Sequence, residues 1–355
     1  MKSANYNIQT AKFLYSWIIV IYHLAASTAI EYKGGYCGVE YFLLTAGMFL
    51  FLSFEKGEKR GAPQTPGQYL SRRFWRFFPW SITAFVLCVV VKRLLVALPS
   101  EIGTLADWFA SDIWEILMIK ANGMNNNEVL FNGPAWTLSA MLIVGFFIWT
   151  LLYYYKDLFL NLIMPLTLVA GFGYWMHIPS ANTEGWIGFT TFGAFRTWLL
   201  MCLSYYCIPM SRKLAQIPFN KRGKTLLTVM EVSIHIFALI VMRFRAERYY
   251  QWLLTLLFMV SIAIAMSGHS LLSRLLDKLT ICKPLGDWSM SIYLIHTPVI
   301  VWFRTNYDVS TWGYSELIPL FLTVAVVAVV HSGITKWIIG ATPKLNKAVM
   351  KQITE

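Results

Sequence analysis

The chain has 355 residues, of which 57% are hydrophobic, 16% aromatic and 14% charged, and its mean hydropathy is +0.54. A soluble domain carries about a quarter charged residues, so this composition argues against a water-soluble enzyme and excludes a disordered chain, a collagen or a small disulfide scaffold. The 30 Lys and Arg outnumber the 18 Asp and Glu, for a net charge of +12; on so apolar a chain that excess points to basic cytoplasmic loops of a membrane protein and away from nucleic acid.

A helix needs about 20 apolar residues to cross a bilayer. Applied along the chain, that length predicts ten spans, near 13–30, 38–54, 74–91, 134–155, 158–176, 192–209, 225–242, 250–268, 288–303 and 317–338. The expected fold class is all-α: a single polytopic transmembrane domain over 1–355, with no appended soluble domain and no internal repeat. The apolar core at 13–21, followed by small residues at 25–29, also has the pattern of a cleaved signal peptide; a retained first helix is the commoner case in a polytopic chain. The long connector 92–133 carries Trp108, Phe109, Ile113, Trp114, Ile116 and Leu117, which suggests a short amphipathic helix at the interface. If the ten spans alternate from a cytoplasmic N-terminus, about two thirds of the basic residues fall inside and the acidic connector falls outside, which predicts both termini in the cytoplasm. Arg243, Arg245 and Arg248 then lie outside, against the trend. The five cysteines, Cys37, Cys88, Cys202, Cys207 and Cys282, show no CxxC and read as small hydrophobes, with neither disulfides nor a metal site.

Ionisable residues inside spans cost several kcal/mol each, about 2.5–3.5 for Asp, Lys or Arg at a helix centre. They are therefore candidates for function. His23 lies ten residues into the first predicted span and Glu40 just inside the second. Arg196 lies near the outer end of the sixth, where it either snorkels to the interface or meets something anionic. Glu231 and His235 share a helix face and are expected to satisfy each other or a neighbouring helix. His296 and His331 read as interhelical hydrogen-bond partners. His23 follows Tyr22 and precedes small residues, beside which a cavity can open. At the inner mouth of the third span stands Arg72-Arg73-Phe74-Trp75-Arg76. Arg73 and Arg76 are three apart on one helix face, and two guanidinium forks so placed suit a phosphate. On the cytoplasmic side, phosphates belong to nucleotides, coenzyme A or lipid head groups.

Six blocks in order resemble the acyltransferase family 3 of polytopic membrane proteins. They are Lys12 to His23; Gly38-Val39-Glu40 through Ala46-Gly47; Arg73-Phe74-Trp75-Arg76 with Pro79; Trp136-Thr137-Leu138-Ser139; Arg196-Thr197-Trp198; and Gly286-Asp287-Trp288-Ser289 with Tyr293-Leu294-Ile295-His296-Thr297-Pro298. The resemblance implies an acyl-CoA-dependent O-acyltransferase of the inner (plasma) membrane. It implies acetyl-CoA as the donor co-substrate, no metal, and a cell-surface or lipid-linked glycan as the acceptor. In its terms His23 is the general base for direct transfer, with an acyl-histidine relay as the alternative the sequence leaves open, and Glu40 orients it or meets the acceptor. Lys12, Arg73 and Arg76 hold the coenzyme, Arg196 and Trp136 belong to the substrate side, and Tyr293 and His296 form a structural motif. Three positions depart from the family pattern: Lys12 stands where arginine is usual, Ala46 where serine is usual, and Ala140-Met141 where acidic residues often follow.

Lys12 and His23 are eleven residues apart, or about 16 Å along a helix and about half the hydrocarbon core. This spacing puts Lys12 at the cytoplasmic surface with Arg73 and Arg76, and His23 near mid-membrane. The rival expectation from another class is a transporter or flippase of a lipid-linked glycan; the one-sided basic mouth aligned with a single histidine disfavours it, as does the lack of an inverted repeat.

Overall fold

The computed structural model describes residues 5–95, 113–119, 132–177, 186–187 and 190–342. Helix α1 (Tyr6–Ala25) starts at Asn5, whose side chain accepts a hydrogen bond from Ile8 N at 3.2 Å. Its buried Ile8, Ala11, Tyr15, Ile18 and Ile19 repeat at helical spacing and turn one face into the core. A 3₁₀ turn (Gly35–Cys37) leads into α2 (Gly38–Lys59). Helix α3 (Pro66–Val89) begins with proline and a Thr65–Gln68 capping box, then widens into a π-helical turn, Val90–Leu95. Helices α4 (Trp136–Leu158) and α5 (Met164–His177) are joined through the π-helical turn Phe159–Ile163. Next come α6 (Phe192–Leu203), α7 (Cys207–Gln216), α8 (Lys221–Phe244) and α9 (Arg248–Ser267). Helix α9 stops at Gly268, whose φ of 78° is the left-handed conformation that glycine adopts at low cost. The described chain ends with α10 (Leu271–Leu276), α11 (Leu285–Asn306) and α12 (Ile318–Ala341).

The all-α expectation holds apart from one two-residue antiparallel ladder, β1 (Trp186–Ile187) with β2 (Thr190–Thr191), in the register Trp186↔Thr191. Among the described residues, six helical stretches are long and apolar enough to cross a membrane: 35–59, 66–92, 133–177, 221–244, 248–267 and 318–341. The 133–177 stretch is 45 residues long and covers two predicted spans. The predicted spans at 13–30, 192–209 and 288–303 fall on α1, on α6 with α7, and on α11, none of which is among the six. These three carry Lys12 and His23, Arg196, and Asp287, His296 and Arg304, and these polar residues lower their apolar average. The connector expected to hold an interfacial helix lies largely outside the described residues, with one helical turn seen at 113–116.

Helices α1 and α11 make the most extensive helix pair, and α11 also packs on α3 and α12. The first helix is thus a core element. Helix α2 packs against α1 and α6, and the glycine of its motif has a visible cause: a Cβ on Gly47 would lie 2.5 Å from Met201 O and 2.6 Å from Met201 Cα. Only a residue without a side chain lets the two backbones come so close.

The helix ends gather into two groups. Lys56, Lys59, Arg72, Arg73 and Arg76 collect at the end of α2 and the start of α3. At the opposite end the loop before α2 meets the turn between α8 and α9, where Gly34 N donates to Met242 O at 2.7 Å and Lys33 N to Arg243 O at 3.2 Å. There too, Arg304 Nη2 donates to His23 O at 2.5 Å. The five cysteines are all buried thiols without disulfide partners.

Candidate active site

A cavity of about 1520 Å³ opens at the basic end between α1, α2, α3, α4 and α11. Nine Lys and Arg line it against two carboxylates, Glu55 and Asp287. Both carboxylates already have partners: Glu55 pairs with Lys59 at 3.1 Å and Arg212 at 2.5 Å, and Asp287 with Lys336 at 2.7 Å. No carboxylate of the described residues lies within ion-pair distance of Lys12, Arg73 or Arg76, all three of which line the cavity. Lys12 Nζ sits over the Phe49 ring at 5.7 Å and the Arg73 guanidinium over Tyr69 at 5.6 Å, so aromatic faces support both cations. Such a chamber suits a polyanion, and guanidinium forks favour phosphate oxygens.

The deep end of the cavity includes Phe42, Thr137 and Tyr293. From there a chain of rings leads on. Phe42 lies 5.6 Å from Tyr293, Tyr293 lies 6.2 Å from His296, and His296 lies 5.1 Å from His23. His296 is fully buried, and its Nδ1 sits 3.2 Å from Ile292 O on its own helix. A carbonyl only accepts, so Nδ1 carries the proton and Nε2 keeps its lone pair. That Nε2 is buried and has no hydrogen-bond partner among the described residues. His296 is therefore not the interhelical hydrogen-bond partner expected from the sequence but a second imidazole packed against His23. His23 itself is exposed. Neutral imidazole is the usual general base near neutral pH, and here one stands at the meeting point of a phosphate-suited chamber and the opposite end of the bundle.

The family model for the acyltransferase domain matches residues 5–337. The chain belongs to acyltransferase family 3. Neither the curated proteins nor the solved structures returned a match. As an acyltransferase, the protein draws its motif blocks into two places. Lys12, Arg73, Arg76 and Tyr293 share the basic cavity, whereas His23, Glu40 and Arg196 lie toward the other end. Trp136 opens α4 as a half-buried residue outside the cavity wall, which its neighbour Thr137 reaches instead.

Helix α1 runs Tyr6–Ala25 rather than 13–30, so His23 sits in its last turn and not at its middle. Lys12 accordingly stands in the second turn and lines the cavity. Glu40 does not orient His23. It forms a buried ion pair with Arg196, and its Oε1 accepts from Gln251 Nε2 at 2.5 Å. Arg196 is 2% exposed and also donates to Tyr36 O at 3.3 Å, so it does not snorkel outward.

The other intramembrane polar residues hydrogen-bond neighbouring helices. Glu231 accepts from Asn7 at 2.6 Å and Ser270 at 2.5 Å, while His235 Nδ1 meets the Tyr15 hydroxyl at 2.7 Å. Both tie α8 back toward α1 rather than to each other. His331 joins three helices through Thr83 at 2.8 Å and Ser291 at 2.9 Å, as expected.

Sequence reasoning did not find Tyr36, Trp175, Phe192 and Gln251. With Arg196 and Arg248 they surround a second cavity, of about 250 Å³, at the histidine end. The misplaced basic residue Arg248 was the available signal. The turn that carries it folds over the α1–α2 loop, where a Cβ on Gly34 would lie 2.2 Å from Arg245 O.

Proposed function

We propose that the protein is an acyl-CoA-dependent O-acyltransferase. It takes an acyl group, acetyl by family resemblance, from the coenzyme on the cytoplasmic side and gives it to a hydroxyl of a cell-surface or lipid-linked glycan. The observation that carries this reading is the basic chamber in which Lys12, Arg73 and Arg76 face no carboxylate partner among the described residues, and whose deep end lies two rings from His23. Acyl-CoA has phosphates at one end, a thioester at the other and a long flexible arm between them. Lys12, Arg73 and Arg76 hold the phosphates, and the arm runs inward past Phe42 and Tyr293. His23 takes the proton of the acceptor hydroxyl as that oxygen attacks the thioester carbonyl; the C–S bond then breaks, and the thiolate leaves with the coenzyme. In this reading the protein spans the plasma membrane about ten times with both termini in the cytoplasm, and Glu40 acts by neutralising Arg196 rather than as a catalyst.

The test is glycan mass spectrometry of cells carrying wild-type protein, His23→Ala, or none. Loss of a general base costs about 10²–10⁴-fold in rate, so the acyl mass should vanish in the variant as it does without the protein. The backbone carbonyl of His23, not its ring, receives Arg304, so the variant should still insert at wild-type levels. An acyl mass that persists in His23→Ala defeats the mechanism.

A further inference from the structure

The second cavity, at the histidine end, has a composition that specifies a ligand. Its aromatic walls are Tyr36, Trp175 and Phe192, and its polar groups are Arg196, Arg248, Glu247 and Gln251. Arg196 Nε is buried, has no hydrogen-bond partner among the described residues, and belongs to a side chain that is 2% exposed. An orphaned buried donor is costly unless something fills it. The charges around it already have partners: Arg196 is paired with Glu40, Glu247 with Arg245 at 3.5 Å, and Arg248 Nη1 donates to Trp175 O at 2.7 Å. An anion entering here finds each cation already engaged and faces the Glu247 carboxylate.

Hydroxyl groups fit this mixture better, since each both donates and accepts. Arg196 Nε–H would donate to one and the Glu247 carboxylate would accept from another, while the flat C–H face of a sugar ring lies against the aromatic walls. A volume of about 250 Å³ suits one ring and not an extended chain. Ring contacts link the cavity wall to the histidine pair, on the side away from the basic chamber. Tyr36 lies 5.5 Å from Tyr22, and Tyr22 lies 5.2 Å from His23.

We infer that this cavity is the acceptor subsite and binds one uncharged sugar ring, rather than an acidic sugar or a phosphate. Its role as acceptor site rests on the acyl-transfer reading; its ligand chemistry does not.

The experiment is saturation-transfer NMR on the purified full-length protein. The probes are neutral methyl glycosides (of glucose, galactose and rhamnose) and, separately, methyl glucuronide. Thermal stabilisation by acetyl-CoA is measured on the same samples. At least one neutral glycoside should give saturation transfer, and the glucuronide should give less. Ala246 lines the cavity and is exposed, so Ala246→Trp should plug it, abolishing the sugar signal while acetyl-CoA stabilisation persists. Glu247→Ala, also exposed at the rim, should weaken sugar binding about tenfold or more, the loss expected for a hydrogen bond to a charged group. Signal from no neutral glycoside, a stronger signal from the glucuronide, or full signal in both variants overturns the assignment. Sugar binding without acetyl-CoA stabilisation would instead overturn the acyltransferase reading and leave the subsite standing.

Discussion

Arg73 illustrates how one residue type carries a specific role. Its guanidinium sits over Tyr69 at the wall of a chamber with few carboxylates, so its neighbours leave its charge for a ligand. A hydrogen bond to a charged group contributes about 1.5–3 kcal/mol. Arg73→Ala should therefore raise the KM for acetyl-CoA by about 10–100-fold with little change in kcat. Arg73→Lys should recover part of the loss, because an ammonium replaces the fork with a point charge. A steady-state titration of acetyl-CoA checks both, and an unchanged KM would remove Arg73 from the coenzyme site. Glu40 shows the opposite case. Its carboxylate is consumed by Arg196 and Gln251, and breaking a buried pair typically costs about 3–5 kcal/mol. Glu40→Ala should lower the thermal midpoint in detergent sharply. The double variant Glu40→Leu, Arg196→Leu should regain most of that stability, since an apolar pair carries no stranded charge, yet remain inactive because the acceptor cavity has lost Arg196.

At the scale of elements, the closest approach of α2 to α6 rests on one atom that is missing. Gly47 faces the backbone of Met201 with no room for a Cβ. Gly47→Val must push the helices apart, and overpacking of this kind costs about 1–3 kcal/mol. The thermal midpoint should fall, and activity with it, because α2 carries Glu40 and Phe42 to opposite sides of the histidine pair. Gly173→Ala, at a position with open space around it, is the matched control and should unfold like wild type. Helices α1 and α11 show a related point: the two that contribute His23 and His296 are also the most extensively packed pair. Polar side chains lower their hydropathy, and burial against each other rather than against lipid makes that tolerable.

At the scale of the molecule, the two cavities open toward opposite ends, one strongly basic and one whose few charges already have partners. In the proposed orientation, taken from the positive-inside rule, the basic chamber faces the cytoplasm. Single cysteines at Ala62 and Ala246, both exposed in turns at opposite ends, test it directly. In intact cells a membrane-impermeant maleimide should label Ala246→Cys, and it should label Ala62→Cys only after lysis. The native cysteines are all buried, so background labelling should be low. The reverse pattern would move the coenzyme chamber to the wrong compartment and end the acyl-CoA reading.

The sequence alone determined the class of the protein: its membrane character, its helical content, the family, and the cluster of Arg73 and Arg76 on one helix face. These follow from composition and from periodicities within a single helix, which need no partner to be read. It also marked His23 and Arg196 as unusual, because a polar residue among apolar ones is visible locally. Only the tertiary structure decided what they touch. That Glu40 holds Arg196 and not His23, that His296 faces His23 with a bare nitrogen, and that Arg248 closes a second cavity all depend on contacts between residues far apart in the chain. A hydropathy window averages along one helix, whereas a site is made where the ends of several helices meet, and that meeting is fixed by packing such as the approach of Gly47 to Met201.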